Sequence, residues 1–407
     1  MKLLKISDLI WFGILSAAVF LSLQNAFISA DAAYYIPVAR DISDGLIPYK
    51  DIRSSYTPIM MYLNSVIFYV ISNPDYHIFL VFQYLVIISS LGFLYFICIK
   101  LKLDIPRTIF LLLFIFISIL SSEGTFINLE VYVFLFVVIS FWFLLKENFF
   151  WSGVFLSLSV FSKQYAILNF LPFGMLLIYH YGSHKKYMTY FVLGASLPVF
   201  LFFFYFSVLE NVPLNSLIKQ LSGGSYASSG VTAEKSFKWL LIDAKVFILM
   251  ILPFFFMKRD FFRSGLSKIL IVGILVNLIP LTIQNFQHYF ILTFPYIALL
   301  LAYNKEDITP RFFTVANFSL ILISMFLFAR IERYKDNGDV QKNISQKYIK
   351  EYPVGSEVFL DGHIRFLYIL NDYRNPVVSK IGYSFGFVPD SAFRTKYQVL
   401  PKKGSNP

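Results

Sequence analysis

Long apolar runs recur along most of this 407-residue chain and limit what it can fold into. Twelve such runs lie between residues 9 and 328, the first over Leu9–Ile28 and the last over Phe312–Phe328. A helix needs about 20 apolar residues to cross the hydrocarbon core of a bilayer. Charged residues make up only 14% of the chain, against about 25% in an ordinary soluble domain. The pattern predicts an all-α polytopic membrane protein and excludes a disordered, collagenous or coiled-coil chain.

The placement of basic residues predicts how many of these runs cross the membrane. If all twelve crossed, later basic clusters such as Lys185 with Lys186 would lie outside, against the positive-inside rule. Ile59–Ile71 is short and carries Asn64 and Ser65 in its middle, which favours a helix that lies in the interface, or dips into the membrane and returns, over a full crossing. The inner segments then hold fourteen basic residues and the outer segments eight. The sequence therefore predicts about eleven transmembrane helices in the plasma membrane, with the C-terminus outside.

The net charge of +11 indicates a membrane partner rather than nucleic acid. Basic residues of membrane proteins collect in cytoplasmic loops and beside anionic lipid. The single cysteine, Cys98, excludes a disulfide framework and a multi-cysteine metal site. No Gly-rich phosphate loop occurs in the sequence, so cytoplasmic nucleotide chemistry has no support.

The last part of the chain differs from the rest, because apolar runs stop near Ile331. Glu357–Leu360 and Asn375–Lys380 are typical of short strands, and His363–Leu370 is typical of a helix. We therefore predict a transmembrane catalytic domain over residues 1–330. A small extracytoplasmic α/β domain is expected to follow over residues 331–407.

The first outer loop, residues 31–58, predicts an interfacial helix. Apolar residues from Tyr35 to Leu46 recur at helical spacing, and Gly45 is placed to end the helix. Such a helix is expected to lie flat on the outer membrane surface. Asp31 stands at its start, where a carboxylate often caps free backbone N–H groups. Asp31 is therefore either a helix cap or a functional acid at the point where the first span emerges.

Three more ionisable residues stand at the edges of apolar runs, where a charge is costly. Glu130 precedes the run Val131–Leu145, Lys163 lies between two short runs, and His288 begins a late span. Each also has a structural interpretation, as a helix cap, a Lys reaching the interface, or a neutral interfacial His. The predicted topology places all three on the same face as Asp31. Such a set favours a transfer reaction, in which a carboxylate accepts a hydroxyl proton and cations neutralise a departing phosphate.

Sequence motifs in a fixed order resemble those of the GT-C superfamily of integral-membrane glycosyltransferases. The stretch from Asp31 to Pro58 is similar to the opening signature, an acid followed by Tyr, Gly, Pro-Tyr and Thr-Pro. NLE at 128–130 is similar to an NTE element of bacterial members. Trp151–Gln164 is similar to a GxxxGxxxxxK segment, with Ser157 where Gly is frequent, and HYFILTFP at 288–295 to a late HY…P element. Together these motifs cover most of residues 1–330.

The resemblance extends to the bacterial group of protein O-mannosyltransferases and aminoarabinose transferases. It implies a polyprenyl-phosphate-linked sugar as donor and a lipid, glycan or protein hydroxyl as acceptor on the extracytoplasmic face, with inversion at the sugar. Asp31 matches the catalytic acid of the first loop, and Glu130 matches the acid of the second loop. Lys163 and His288 match contacts to the donor phosphate. Arg53 is a further phosphate candidate on its charge and position.

The resemblance also bears on cofactors. Ala32 and Ala33 follow Asp31 where some branches of the superfamily have a second acid. The sequence therefore departs from the acidic pair of those branches, and we predict neither a metal ion nor another cofactor.

Two other functions stay open on the sequence alone. A transporter or flippase for a lipid-linked saccharide would share the donor. Such proteins often contain internal repeats and mid-span charges, whereas this chain shows no internal repeat and has most charges at loop edges. A surface-polysaccharide polymerase or ligase would use the same class of donor and differ in the length of its product.

Overall fold

A computed structural model gives the fold of most of the chain. It describes residues 27–29, 31–182, 184–222, 244–282, 286–360, 364–376 and 399–400. The first predicted span, Leu9–Ile28, lies outside the described residues except for its last two. Most of the predicted strand Asn375–Lys380 also lies outside them.

The described residues are mainly helical, as the apolar pattern predicts. The α-helices are α1 Ala32–Ser43, α2 Ile59–Val70, α3 Tyr76–Lys100, α4 Ile105–Ile119, α5 Glu130–Leu145, α6 Phe149–Ser162, α7 Phe170–Tyr181, α8 Lys185–Phe203, α9 Leu214–Leu221, α10 Lys245–Ile251, α11 Gly265–Asn277, α12 Phe294–Tyr303, α13 Pro310–Ile349 and α14 Leu367–Leu370. Shorter 3₁₀ or π-helical turns are Leu120–Gly124, Gln164–Asn169, Phe204–Leu209, Leu252–Phe256, Arg259–Arg263, Ile279–Thr282 and Gln287–Thr293. Two strands, β1 Phe359–Leu360 and β2 Val399–Leu400, pair in parallel.

Within the described ranges, four helical stretches are long and apolar enough to cross a membrane. They are Tyr76–Lys100, Ile105–Gly124, Lys185–Leu209 and Pro310–Ile349. Six shorter apolar helices of 10–17 residues accompany them. One of these is α2, whose 12 residues span about 18 Å, less than the roughly 30 Å of hydrocarbon. This length fits the interfacial helix expected there, and the total of about eleven crossings stays a prediction.

The chain divides into two compact units. Unit 1 comprises residues 1–24, 81–199 and 231–331, and unit 2 comprises residues 25–80, 200–230 and 332–407. Residues 332–407 therefore belong to the same unit as the first outer loop.

Two glycines allow the backbones of α6 and α8 to come close together in unit 1. A Cβ atom placed on Gly153 of α6 would lie 2.1 Å from the carbonyl oxygen of Phe191 in α8. A Cβ atom on Gly194 of α8 would lie 1.9 Å from the carbonyl oxygen of Phe150 in α6. Small residues allow backbones to approach in this way where membrane helices cross. The contact explains a glycine of the predicted GxxxG-like segment and fixes α6, which ends next to Lys163.

Gly153→Ala is expected to destabilise the protein, because the added methyl group has no space beside α8. Overpacking of this kind typically costs about 1–3 kcal/mol. Gly174→Ala in α7 is the matched control, since a Cβ atom at Gly174 meets nothing within 4 Å. Alanine there favours the helix by roughly 0.5–1 kcal/mol. The midpoint temperature of thermal unfolding in detergent should therefore fall for Gly153→Ala and stay the same or rise for Gly174→Ala. Equal midpoints would contradict the close packing.

In unit 2, the first outer loop forms the predicted helix, but the helix is buried in the protein rather than exposed on one side. α1 covers Ala32–Ser43, and Gly45 (φ 94°) follows it as the expected terminating glycine. The expected solvent-facing side of this helix is absent, since every residue from Ala32 to Ile42 is buried. Both α2 and α14 pack against α1. Hydrophobic spacing locates the helix but does not show that its polar residues, Arg40 and Asp41, face other parts of the protein.

The C-terminal part of the chain differs from its prediction in detail. β1 confirms a strand within Glu357–Leu360, and α14 is a single turn within the predicted helix His363–Leu370. α13 continues to Ile349, well beyond the apolar run that ends at Phe328. Hydropathy cannot detect this extension because its residues are mostly polar, although Lys and Gln are good helix formers.

Candidate active site

A turn after α4 presents an acid to which the sequence analysis gave no role. Leu120–Gly124 leaves helical geometry at Ser122 (φ −100°, ψ 40°) and at Glu123 (φ 66°, ψ 13°). Glu123 thus adopts the left-handed conformation that residues other than glycine rarely use and that often marks functional positions. Its Oε2 lies 2.8 Å from Nδ1 of His288. The turn therefore directs Glu123 to a residue that was predicted to bind phosphate.

Gln83 of α3 holds this turn in place. Its amide nitrogen donates to the carbonyl oxygen of Gly124 at 3.0 Å and to that of Phe126. Its amide oxygen accepts a hydrogen bond from the backbone N–H of Asn128 at 3.1 Å. Asn128 in turn donates to the carbonyl oxygen of Glu123 at 2.8 Å. Two buried amide side chains thus satisfy the backbone around Glu123 and stabilise its unusual conformation.

Gln83→Leu is expected to destabilise the turn, because leucine has a similar size but can neither donate nor accept. Each buried backbone group left without a partner costs about 1–3 kcal/mol. The midpoint temperature of thermal unfolding in detergent measures this loss of stability. Gln346→Leu, at an exposed position of α13, is the matched control. Two variants with the same midpoint would show that Gln83 does not support the turn.

The ion pair of Glu130 and Lys163 forms the centre of the site. Glu130 begins α5 and Lys163 directly follows α6, so the two neighbouring helices bring their Oε1 and Nζ atoms to 3.3 Å. The side chains are only 1% and 4% exposed, and Nζ lies 5.1 Å from the ring centre of Tyr289. Neither carboxylate oxygen accepts a well-aligned hydrogen bond from any residue that the structure describes. Asn128 caps α5 by accepting from the N–H of Val131 at 3.3 Å, so Glu130 does not serve as the cap.

His288 and Arg330 are two further basic groups beside these acids. Arg330 of α13 donates to the carbonyl oxygen of Ser121 at 2.7 Å, and its charge acts on Glu123. The imidazole of His288 contacts Glu123, and its charge when protonated also acts on Glu130. Unit 1 therefore combines two carboxylates with three basic groups. Such a set can hold a hydroxyl group and balance the charge of a phosphate.

In unit 2, Asp31 precedes α1 but does not cap it. Its carboxylate makes no capping hydrogen bond to the helix within the described part of the chain. The hydroxyl oxygen of Ser29 accepts from the N–H of Ala32 at 3.2 Å instead. The structural interpretation that the sequence left open for Asp31 is thus wrong, since another residue performs the capping.

Arg53, the other predicted residue in unit 2, lies in the loop between α1 and α2. Its side chain is exposed. Gln220 of α9 holds the backbone on both sides of it. The Gln220 amide donates to the carbonyl oxygen of Tyr49 at 2.8 Å and accepts from the N–H of Ser54 at 3.1 Å. The loop thus presents a basic side chain on a fixed backbone.

The structure brings Glu130 and Lys163 together and places His288 against Glu123, while Asp31 and Arg53 belong to unit 2. Glu123 and Arg330 are the residues of the cluster that sequence reasoning missed. Both could have been found by the rule that identified Glu130, because each follows an apolar run at the point where it ends. Across the described ranges, no three His, Cys, Asp or Glu residues come close enough to hold a metal ion. The expected independence of metal stays a prediction.

Comparisons with known proteins identify the fold. Neither a protein-family model nor a curated protein sequence matches the chain. The chain is similar to the crystal structure of ArnT from Cupriavidus metallidurans bound to undecaprenyl phosphate, with a TM-score of 0.62. The similarity covers 92% of this chain and 87% of that one, at 10% sequence identity. ArnT is a GT-C glycosyltransferase, so the GT-C-like membrane fold that the ordered motifs predict is confirmed.

Proposed function

We propose that this protein is a membrane glycosyltransferase that moves a sugar from a polyprenyl-phosphate-linked donor to an acceptor hydroxyl at the cell surface. The buried Glu130–Lys163 pair carries the proposal. A charge inside the membrane is costly, and the Glu130 oxygens lack well-aligned hydrogen bonds from the described residues. The undecaprenyl phosphate bound by ArnT supports the donor class. We place the reaction on the extracytoplasmic face of the plasma membrane, in keeping with the charge bias of the loops.

The proposed reaction is a single displacement at the anomeric carbon of the sugar. The acceptor oxygen bonds to that carbon from the side opposite the phosphate, and the bond between carbon and phosphate oxygen breaks. The configuration at the anomeric carbon therefore inverts. The proton of the acceptor hydroxyl moves to the carboxylate of Asp31, which acts as general base. The electron pair of the broken bond leaves with the polyprenyl phosphate.

The leaving phosphate gains negative charge as the bond breaks, and cations that neutralise this charge lower the barrier. We assign this role to Lys163, His288 and Arg53. Glu130 holds Lys163 in place through their 3.3 Å ion pair and offers its oxygens to a hydroxyl group of the bound substrates. Glu123 orients the imidazole of His288 through the 2.8 Å contact between its Oε2 and Nδ1.

The experiment that tests the proposal is a deletion strain analysed by mass spectrometry. Loss of the protein should raise the level of one polyprenyl-phosphate sugar and remove that sugar from one surface lipid, glycan or protein. Unchanged lipid-linked sugars together with unchanged surface glycans would contradict the proposal.

A second experiment separates transfer from transport. Purified protein in liposomes is incubated with membranes from the deletion strain, which hold both accumulated donor and unmodified acceptor. A transferase releases polyprenyl phosphate and forms a covalent sugar product, and the length of that product distinguishes single transfer from polymerisation. Movement of the donor between leaflets without a covalent product would instead support the flippase.

A further inference from the structure

Part of the C-terminal region contacts the backbone just before Asp31. The side-chain amide of Gln341 in α13 accepts from the N–H of Ile28 at 2.8 Å and donates to the carbonyl oxygen of Ile28 at 3.0 Å. The Gln341 side chain thus satisfies both the N–H and the carbonyl group of Ile28, as a neighbouring β-strand would. Gln341 and Ile28 are both buried. Because hydrogen bonds are directional, this pair fixes the path of the chain three residues before Asp31.

A second contact holds the other end of α1. The guanidinium of Arg40 donates to the carbonyl oxygens of Tyr368 at 3.3 Å and Tyr373 at 2.6 Å, and it pairs with the carboxylate of Asp372. Arg40 is only 6% exposed. A buried arginine with several charge-assisted hydrogen bonds is a strong and geometrically specific contact. The last turn of α1 is therefore held by three residues of one short segment, Tyr368, Asp372 and Tyr373.

The same segment makes a third contact and is tied to α13. Arg374 pairs with Asp44, at the end of α1, and lies 3.6 Å from Asp41. The hydroxyl of Ser345 in α13 donates to the amide oxygen of Asn371, and the Asn371 amide nitrogen donates to the carbonyl oxygen of Ser345 at 3.4 Å. The residue that holds Ile28 and the residues that hold Arg40 thus belong to one connected structure.

We infer that residues 332–360 and 364–376 position Asp31, with Gln341 and Arg40 as the positioning residues. The inference rests on the proposed function of Asp31 as general base. Contacts at both ends of the helix fix its rotation and its translation, and hence the location of the carboxylate at its start. Packing against α2 also keeps α1 buried and adds one hydrogen bond, from the Tyr69 hydroxyl to the carbonyl oxygen of Ile42 at 3.3 Å. A misplacement of about 1 Å at a reacting group can lower a rate by about 10²-fold.

The test compares Gln341→Ala and Arg40→Lys with wild type in the full-length protein. Arg40→Lys keeps the charge but cannot reproduce the forked contact. Gln346→Ala, at an exposed position of the same helix, is the matched control. Rates are measured in liposomes as release of polyprenyl phosphate from the lipid-linked sugars of deletion-strain membranes. We expect kcat to fall by about 10- to 100-fold in both variants, with the KM for donor within twofold of wild type. Gln346→Ala should match wild type, and Arg40→Ala should be slower than Arg40→Lys.

Hydrogen exchange of the segment 27–44 provides a readout that needs no activity. Gln341→Ala and Arg40→Lys should speed exchange in this segment, whereas exchange in unit 1 should stay at the wild-type rate. The thermal midpoint should fall in both variants, because buried groups lose their hydrogen-bond partners. Unchanged exchange, or unchanged kcat in an active protein, would overturn the inference. A rise in donor KM alone would also overturn it, since positioning of the base should not change donor binding. Wild-type protein that releases no polyprenyl phosphate would instead contradict the proposed function, and the exchange result would still decide whether the segment is held.

Discussion

Asp31→Asn is expected to lower the rate of sugar transfer by roughly 10²- to 10⁴-fold, the usual contribution of a general base. Asparagine has the same shape as aspartate but cannot accept the proton of the acceptor hydroxyl. The variant should fold normally, because Ser29 rather than Asp31 caps α1. The rate is measured as polyprenyl phosphate released in liposomes, and folding is measured by the thermal midpoint.

Asp75→Asn is the control for this variant. Asp75 is an exposed acid in unit 2, so its substitution should leave the rate unchanged. Transfer by Asp31→Asn within about twofold of wild type would remove Asp31 from the reaction. The proposed donor could still be correct in that case, but another group would have to accept the proton.

Glu130→Gln is expected to lower both stability and activity by large amounts. Removing one member of a buried ion pair leaves the other charge without compensation, at a cost of about 3–5 kcal/mol. Lys163 is almost fully buried, so the variant strands a cation in an apolar environment. The thermal midpoint in detergent should fall strongly, whereas Glu147→Gln, at an exposed acid of unit 1, should leave it unchanged.

The double variant Glu130→Gln with Lys163→Met separates stability from function. Replacing a whole buried ion pair with uncharged residues is often neutral for stability, so the midpoint should return towards that of wild type. Transfer should stay absent, because the cation that we propose neutralises the leaving phosphate is gone. A double variant that regains transfer would show that the pair is structural only.

The sequence predicted the helices, their order and the GT-C-like fold. Apolar runs identify buried helices directly. The ordered motifs around Asp31 and Lys163 predicted the GT-C-like fold, although this chain and ArnT share only 10% sequence identity. The extension of α13 to Ile349 could not be predicted in this way, because the residues after Phe328 are mostly polar and form no apolar run. The same holds for the burial of Arg40, whose partners are more than 300 residues away in the chain.

The candidate site could be predicted only in part. Glu130, Lys163 and His288 stand out because an ionisable group next to an apolar run is unusual. Their pairing is a tertiary property: Lys163 contacts Glu130, and His288 contacts Glu123, an acid to which the sequence analysis gave no role. Gln83 could not be identified at all, since a glutamine inside an apolar run has no signature for holding the backbone of a distant turn.

The distance along the chain between α1 and its partners also bears on how the protein is made. Gln341 follows Ile28 by 313 residues, and Tyr373 follows Arg40 by 333. The ribosome therefore completes most of the apolar helices before it releases the residues that hold α1. During this time the nascent chain carries its first loop without these contacts. A truncated message that ends near residue 331 would still encode the last apolar run, yet its product would lack every one of them.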